Sequence, residues 1–260
     1  MKKATLAAIQ MVSAPELEPN LRAAERLLAA AKAAGAELAA LPENFYCIGR
    51  TERDKVAMQE ADGDGPIQAF LSASARKFGM WVLAGTVPIR CGSPDRIRSA
   101  CVLFDDSGRR VARYDKMNMF RFERGEEKYD EGRTIEPGTQ PVAVDSPFGR
   151  LALSVCYDVR FPELYRGLGP FDVMFVPSAF TVPTGQAHWD LLLRARAVEN
   201  KAYLVAPAQG GLHAAGRRTW GHSMIVDPWG EVLAMRAEGE GVVTAEIDPE
   251  RVQDIRRRFS

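Results

Sequence analysis

The chain has 260 residues, enough for one large domain with a full core and short for two. Hydrophobic residues make up 46% and charged residues 26%, an ordinary globular balance, and 34 basic side chains are matched by 34 acidic ones. No net positive field is available to gather phosphates, and no apolar run approaches the roughly 18 residues of a membrane span, so nucleic acid and bilayers are excluded as expected partners.

The opening stretch, MKKATLAAIQMV, sets two lysines before a short apolar run. Gln10 interrupts that run before it reaches signal-peptide length, and no small-residue cleavage site follows. Residues 5–9 are expected as a buried strand. Leu21, Ala24, Leu28 and Ala31 then recur at helical spacing, and Gly35 ends that helix. Strands are expected at 37–41 and 80–87. Residues 100–104 and 110–114 flank DDSG, which reads as a hairpin turn. Strands at 151–156 and 173–177 are separated by a short helix after Pro162. Trp189, Leu192, Leu193 and Ala197 make one apolar helix face, and a strand at 203–206 follows. Residues 222–226 and 231–235 flank the turn DPWG, 242–247 form a last strand, and a helix starts near Pro249. The RRR run in that helix lies near its C-terminus, where positive charge is favourable.

Helices therefore alternate with strands, with hairpins interspersed, the pattern of an α/β layered domain with mixed sheets. The strands are too numerous for one three-layer sheet. Two sheets packed face to face with helices outside would bury them all. No linker, low-complexity segment or repeat divides the chain, so residues 1–260 are expected as a single domain. The four cysteines (Cys47, Cys91, Cys101, Cys156) have no CxxC spacing and do not read as a disulfide framework, which makes a reducing cytoplasm the expected setting.

Ligands of open α/β sheets bind beyond the carboxyl ends of strands. Three reactive side chains stand there: Glu43 after ELAALPE, Lys116 after RRVARYDK, and Cys156 at the end of LALSVC. A thiol attacks a carbonyl as thiolate; a carboxylate can take its proton and an ammonium favours the charged form. The backbone N–H of Tyr157 and the lysine could hold the resulting oxyanion, each such donor typically contributing ~3 kcal/mol. Each residue taken alone has a plainer reading: an inert core thiol, a solvated lysine, a glutamate at a helix start. A Cys–His pair using His222 of WGHSM is a rival arrangement, although a hydrogen-bonded framework histidine is the simpler role for that residue. His188, His213, His222 and the cysteines lack metal-ligand spacing, and no GxGxxG or P-loop is present, so neither a metal nor a nucleotide cofactor is expected.

The segments LPENF, YDK and VCYDVRFPEL, in that order, resemble the three signatures of the nitrilase (carbon–nitrogen hydrolase) superfamily, and the similarity spans nearly the whole chain. The resemblance implies a four-layer αββα sandwich and a cofactor-free amidase. It places the base and acid role on Glu43, the oxyanion role on Lys116 and the nucleophile on Cys156. A second family glutamate, matched at Glu131 in DEGRTIEPG, is implied to orient Lys116. The stretches from PSAFTVPTG to APAQGGLH and RTWGHSMIVDPWGEVLA resemble the branch whose members hydrolyse deaminated glutathione; the ω-amidase branch, acting on α-ketoglutaramate, shares much of them but differs around APAQGGLH, and it stands with N-carbamoyl amino acid amidohydrolases as the alternative. In the deaminated glutathione branch Arg160, four residues beyond the cysteine, is a candidate for holding a substrate carboxylate; a structural ion pair with Asp158 or Glu163 is its alternative. The family also implies a homodimer, and makes His188 and His222 framework residues. Cys47 is read as a small buried filler. A catalytically silent member serving as an interaction partner is the alternative class, disfavoured because all four of Glu43, Lys116, Glu131 and Cys156 are present.

Overall fold

The computed structural model describes residues 1–124 and 127–259. It is a four-layer αββα sandwich built on two mixed sheets. The first has seven strands. Ala4–Gln10, Leu38–Ala40 and Trp81–Leu83 run parallel in its centre, Gly241–Ile247 is antiparallel on one side, and Ile97–Phe104 with Val87–Arg90 and Arg110–Asp115 completes the other. The second sheet has six. Gly149–Leu153, Val173–Phe175 and Tyr203–Ala206 are its parallel centre, flanked antiparallel by Val142–Ser146 and by Ser223–Val226 with Val232–Arg236.

Ala4–Gln10 shows how the layers are made. Every residue from Leu6 to Gln10 is buried, and side chains alternate between faces with the two-residue period of a strand. Leu6 and Ala8 join the core between the sheets, whereas Ala7 and Ile9 join the core beneath the helices Leu17–Ala33 and Pro66–Phe78. The second sheet is covered outside by Val182–Asn200, whose Trp189, Leu193 and Ala197 form the apolar face expected for it. Strands buried on both faces read as unbroken apolar runs, and that is how they appear in this chain. No helix is long and apolar enough to cross a membrane among the described residues.

Three local expectations are corrected. The strand expected at 80–87 is two strands, broken at Gly85, which sits at φ 65° in the left-handed region where an added β-carbon would collide with the Pro42 carbonyl. The strand expected at 151–156 ends at Leu153, and Cys156 itself opens a short 3₁₀ helix, Cys156–Arg160. The helix Pro66–Phe78 has no counterpart in the sequence reading. Within the charged segment after Lys116, Arg121–Arg124 pairs antiparallel with Glu127–Asp130; residues 125–126 lie outside the described residues.

Candidate active site

Three strand exits converge. Glu43 lies in the turn after Leu38–Ala40, Lys116 directly follows Arg110–Asp115, and Cys156 follows Gly149–Leu153 of the opposite sheet. The Lys116 ammonium is wholly buried. It donates to Glu43 Oε1 at 2.8 Å and to Glu131 Oε2 at 2.7 Å. Glu131 opens the short turn after the charged hairpin and is fixed there from both sides. Its Oε2 accepts from the Phe120 N–H at 2.8 Å, and its own N–H donates to the Phe120 carbonyl at 3.0 Å. Burial opposes the charged form of Lys116, but the carboxylates of Glu131 and Glu43 more than offset it and hold the ammonium well above the ordinary lysine value.

Cys156 is 7% exposed and adopts φ 50°, a left-handed conformation that is strained for a residue with a side chain. Its N–H is anchored on the Pro177 carbonyl at 2.9 Å. The thiol is pushed well above its ordinary value, first by burial and then by the negative field of Glu43 and Glu131; Lys116 and a hydrogen bond from the Ala179 backbone pull less strongly the other way. The sulfur therefore rests as a thiol. The next N–H, that of Tyr157, stands in the opening turn of the 3₁₀ helix, where N–H groups have no intrahelical acceptor. Phe120, Cys156, Tyr157, Arg160, Ala179, Phe180, Thr181 and Thr184 line a narrow pocket with about 10 Å³ of free space.

Two positioning residues escape the sequence reading. Asp158, fully buried, accepts four hydrogen bonds: from the Tyr114 hydroxyl at 2.8 Å, the Val155 N–H at 2.9 Å, and the Asn118 N–H and side-chain amide at 3.0 and 2.8 Å. It thereby ties the chain on both sides of Lys116 to the cysteine turn. Gln209 donates to the Glu43 carbonyl at 3.2 Å and to Ser13 Oγ at 2.8 Å, and accepts from the Ser13 N–H at 3.1 Å. Asp158 lies in VCYDVRFPEL and Gln209 in APAQGGLH, polar residues at the ends of apolar runs. That position is a signal, but their partners are distant in sequence.

Arg160 lines the pocket, as expected of a residue four beyond the cysteine. Neither ion pair considered for it is formed among the described residues. Its Nη2 instead donates to His188 Nδ1 at 3.2 Å, and its guanidinium lies 5.6 Å from the ring centres of both Tyr157 and Phe180. His213 is buried between the Ser13 carbonyl and Thr219. His222 bonds the Trp220 carbonyl at 2.9 Å and stacks on the Trp220 ring. Its polar contacts are framework contacts. Cys47 donates to the Pro15 carbonyl, and burial pushes its thiol up to about 11. Cys101 is raised further for the same reason.

The carbon–nitrogen hydrolase profile matches residues 5–257. A protein of Synechocystis called deaminated glutathione amidase is 43% identical over 265 residues, covering all of this chain and 97% of its own length. One of the same name from Yersinia enterocolitica is 37% identical, covering all of this chain and 92% of its own. The crystal structure of the C. elegans NitFhit protein superposes with a TM-score of 0.91 at 38% identity, over 99% of this chain and 64% of that one.

Proposed function

The chain belongs to the carbon–nitrogen hydrolase family and is a hydrolase acting on amides; we propose that it works through Cys156, Glu43, Lys116 and Glu131 on a small amide bearing a carboxylate, and that deaminated glutathione is its best substrate. The observation that carries this reading is the buried Lys116 ammonium held between Glu43 and Glu131 beside a buried thiol. A lysine and two carboxylates leave the resting site with one net negative charge. A free thiolate would add a second in a nearly dry pocket, so deprotonation waits for the substrate.

As the Cys156 sulfur attacks the carbonyl carbon, Glu43 takes the thiol proton and the carbonyl π electrons move to oxygen. Lys116 Nζ–H and the Tyr157 N–H donate to that oxyanion. Glu131 keeps the ammonium compensated while Glu43 is neutral. Glu43 then gives its proton to the departing nitrogen, the C–N bond breaks, and a thioester remains on Cys156. Water attacks the thioester carbon while Glu43 takes its proton, the C–S bond breaks, and Glu43 returns that proton to the sulfur as the acid leaves. Arg160, cradled by two rings and His188, would receive the keto-acid carboxylate a few bonds from the scissile amide.

A panel of amides tests this, with release of ammonia or amine as the readout. It comprises deaminated glutathione, α-ketoglutaramate, neutral aliphatic amides and N-carbamoyl amino acids. Carboxylated amides should be the faster, deaminated glutathione first. Equal rates on neutral amides would remove the carboxylate role of Arg160, and preference for N-carbamoyl amino acids would move the protein to another branch.

We also propose a homodimer. Leu191 and Val198 lie seven residues apart on the outer face of Val182–Asn200, and Trp229 with Phe259 extends the same apolar surface beside Val198. A second copy covering it would remove that surface from water. The four cysteines are free, the state a reducing compartment such as the cytoplasm maintains.

A further inference from the structure

The narrow pocket has about 10 Å³ of free space, room for about one water-sized group, so most of any substrate must extend beyond it. A wider cleft of about 410 Å³ lies alongside, lined by Tyr129, Val182, Pro183, Gly216, Arg217 and Arg218. The two are contiguous through the chain. Val182 and Pro183 sit between Thr181 and Thr184 of the narrow pocket, and the Tyr129 ring packs 5.8 Å from that of Phe120.

Arg217 stands where they meet. Its Nη2 donates to the Ala179 carbonyl at 3.2 Å, and Ala179 lines the narrow pocket together with Cys156. Its guanidinium lies 5.1 Å from the Tyr129 ring centre, and its buried Nε has no hydrogen-bond partner among the described residues. The neighbouring Arg218 is paired with Glu238 at 3.1 Å; Arg217 has no carboxylate within ion-pair distance among the described residues. Glu52 feels its charge but is bridged to Lys55 at 2.7 Å. A half-buried guanidinium on an aromatic face, with donors to spare beside a roomy cleft, is built to receive an anion.

We propose that this cleft is a second carboxylate subsite, in which Arg217 binds the carboxylate that ends the amine half of a peptide-like amide. The inference rests on the reading of Cys156 as nucleophile and Arg160 as acceptor of the acyl-side carboxylate. Two arginines on either side of the Ala179–Phe180 segment then select a substrate charged at both ends. Deaminated glutathione has that form: a keto-acid carboxylate on its acyl half and a glycine carboxylate on its amine half. α-Ketoglutaramate shares the acyl half but releases only ammonia.

The test compares kcat/KM for these two amides in the wild-type protein and in Arg217→Met, which keeps an apolar stem. The ratio of deaminated glutathione to α-ketoglutaramate should fall about tenfold or more, mainly through KM, and Arg217→Lys should recover part of it. An equal loss on both substrates would make Arg217 a prop for Ala179 and overturn the subsite. Independently of any variant, the wild-type protein should show the same fall on a deaminated glutathione whose glycine carboxylate is capped as an amide; equal rates on acid and amide would overturn it too. Calorimetric titration with the dipeptide cysteinylglycine, in wild type and Arg217→Met, separates the two levels of the argument. If neither amide is turned over, the proposed function fails, while weaker dipeptide binding in the variant still supports the subsite and equal binding refutes it.

Discussion

Lys116 shows how much of the site a single side chain supports. Among the described residues it is the only group that touches both carboxylates, and removing it would leave Glu43 and Glu131 facing each other in a buried space. Breaking a buried ion pair by deleting one partner typically costs about 3–5 kcal/mol. Lys116→Met should therefore lose stability on that order in urea titrations as well as activity. Glu131→Gln, which leaves the Lys116–Glu43 contact, should lose less. Glu43→Gln should fold normally and turn over about a thousandfold more slowly, because an amide cannot shuttle the proton. Glu43 and Cys156 stand out in the sequence because each follows an apolar strand; Lys116 follows Arg110–Asp115, of which only Tyr114 is buried, so its strand-end position alone singled it out. Arg160 was legible only in part. Its place in the pocket follows from its distance to the cysteine, but its contact with His188 joins two segments 28 residues apart. The buried thiols give a pH dependence. Burial raises the Cys47 thiol from 9.0 to about 11, so the folded chain holds that proton more tightly than the unfolded chain does. Its contribution to stability is complete below pH 9 and is lost as pH climbs through about 11. Cys47→Ala should flatten that part of the alkaline limb, as read from urea midpoints against pH.

The segments after the strands, more than the strands themselves, position Glu43, Lys116 and Cys156. At Gly85 a side chain would meet the Pro42 carbonyl, and the left-handed backbone would strain any β-carbon. Gly85→Ala should thus displace the turn that carries Glu43, costing about 1 kcal/mol or more in stability and lowering kcat more than it raises KM. Asp158 does the equivalent for the other side. Asparagine there could keep only some of four donors satisfied, each orphaned one costing about 1–3 kcal/mol. Asp158→Asn should accordingly lower both the melting temperature and kcat. The sequence could not place the break at Gly85, because 80–87 reads as one apolar run whether or not the chain turns within it. The helix Pro66–Phe78 was readable in principle: Pro66 opens it, Ile67, Leu71 and Ala75 recur every fourth residue, and Gly79 closes it at φ 51°. Tyr129 comes from a charged hairpin without alternation and Glu131 from the turn that follows it, and there the pattern carries no structural signal.

Across the molecule, the face-to-face sandwich follows from the count of fully apolar strands, which one sheet could not bury. The two sheets share a design, three parallel central strands with antiparallel flanks. That kinship was invisible as a sequence repeat, since central strands of three to seven residues demand only apolar character. Cys156 comes from one sheet and Glu43 and Lys116 from the other, so the site depends on how the sheets are packed. The apolar surface of Leu191, Val198, Trp229 and Phe259 belongs to this level as well. Glutamates at 191 and 198 together should convert a dimer to monomers in light scattering after gel filtration; an unchanged mass would place the contact elsewhere. The most direct measurement is rapid-quench mass spectrometry of the wild-type protein during turnover of deaminated glutathione. The peptide carrying Cys156 should gain the 2-oxoglutaryl acyl group transiently and lose it as product accumulates. Product formed with Cys156 unmodified throughout, or the acyl group found on another residue, would contradict a site built on that thiol.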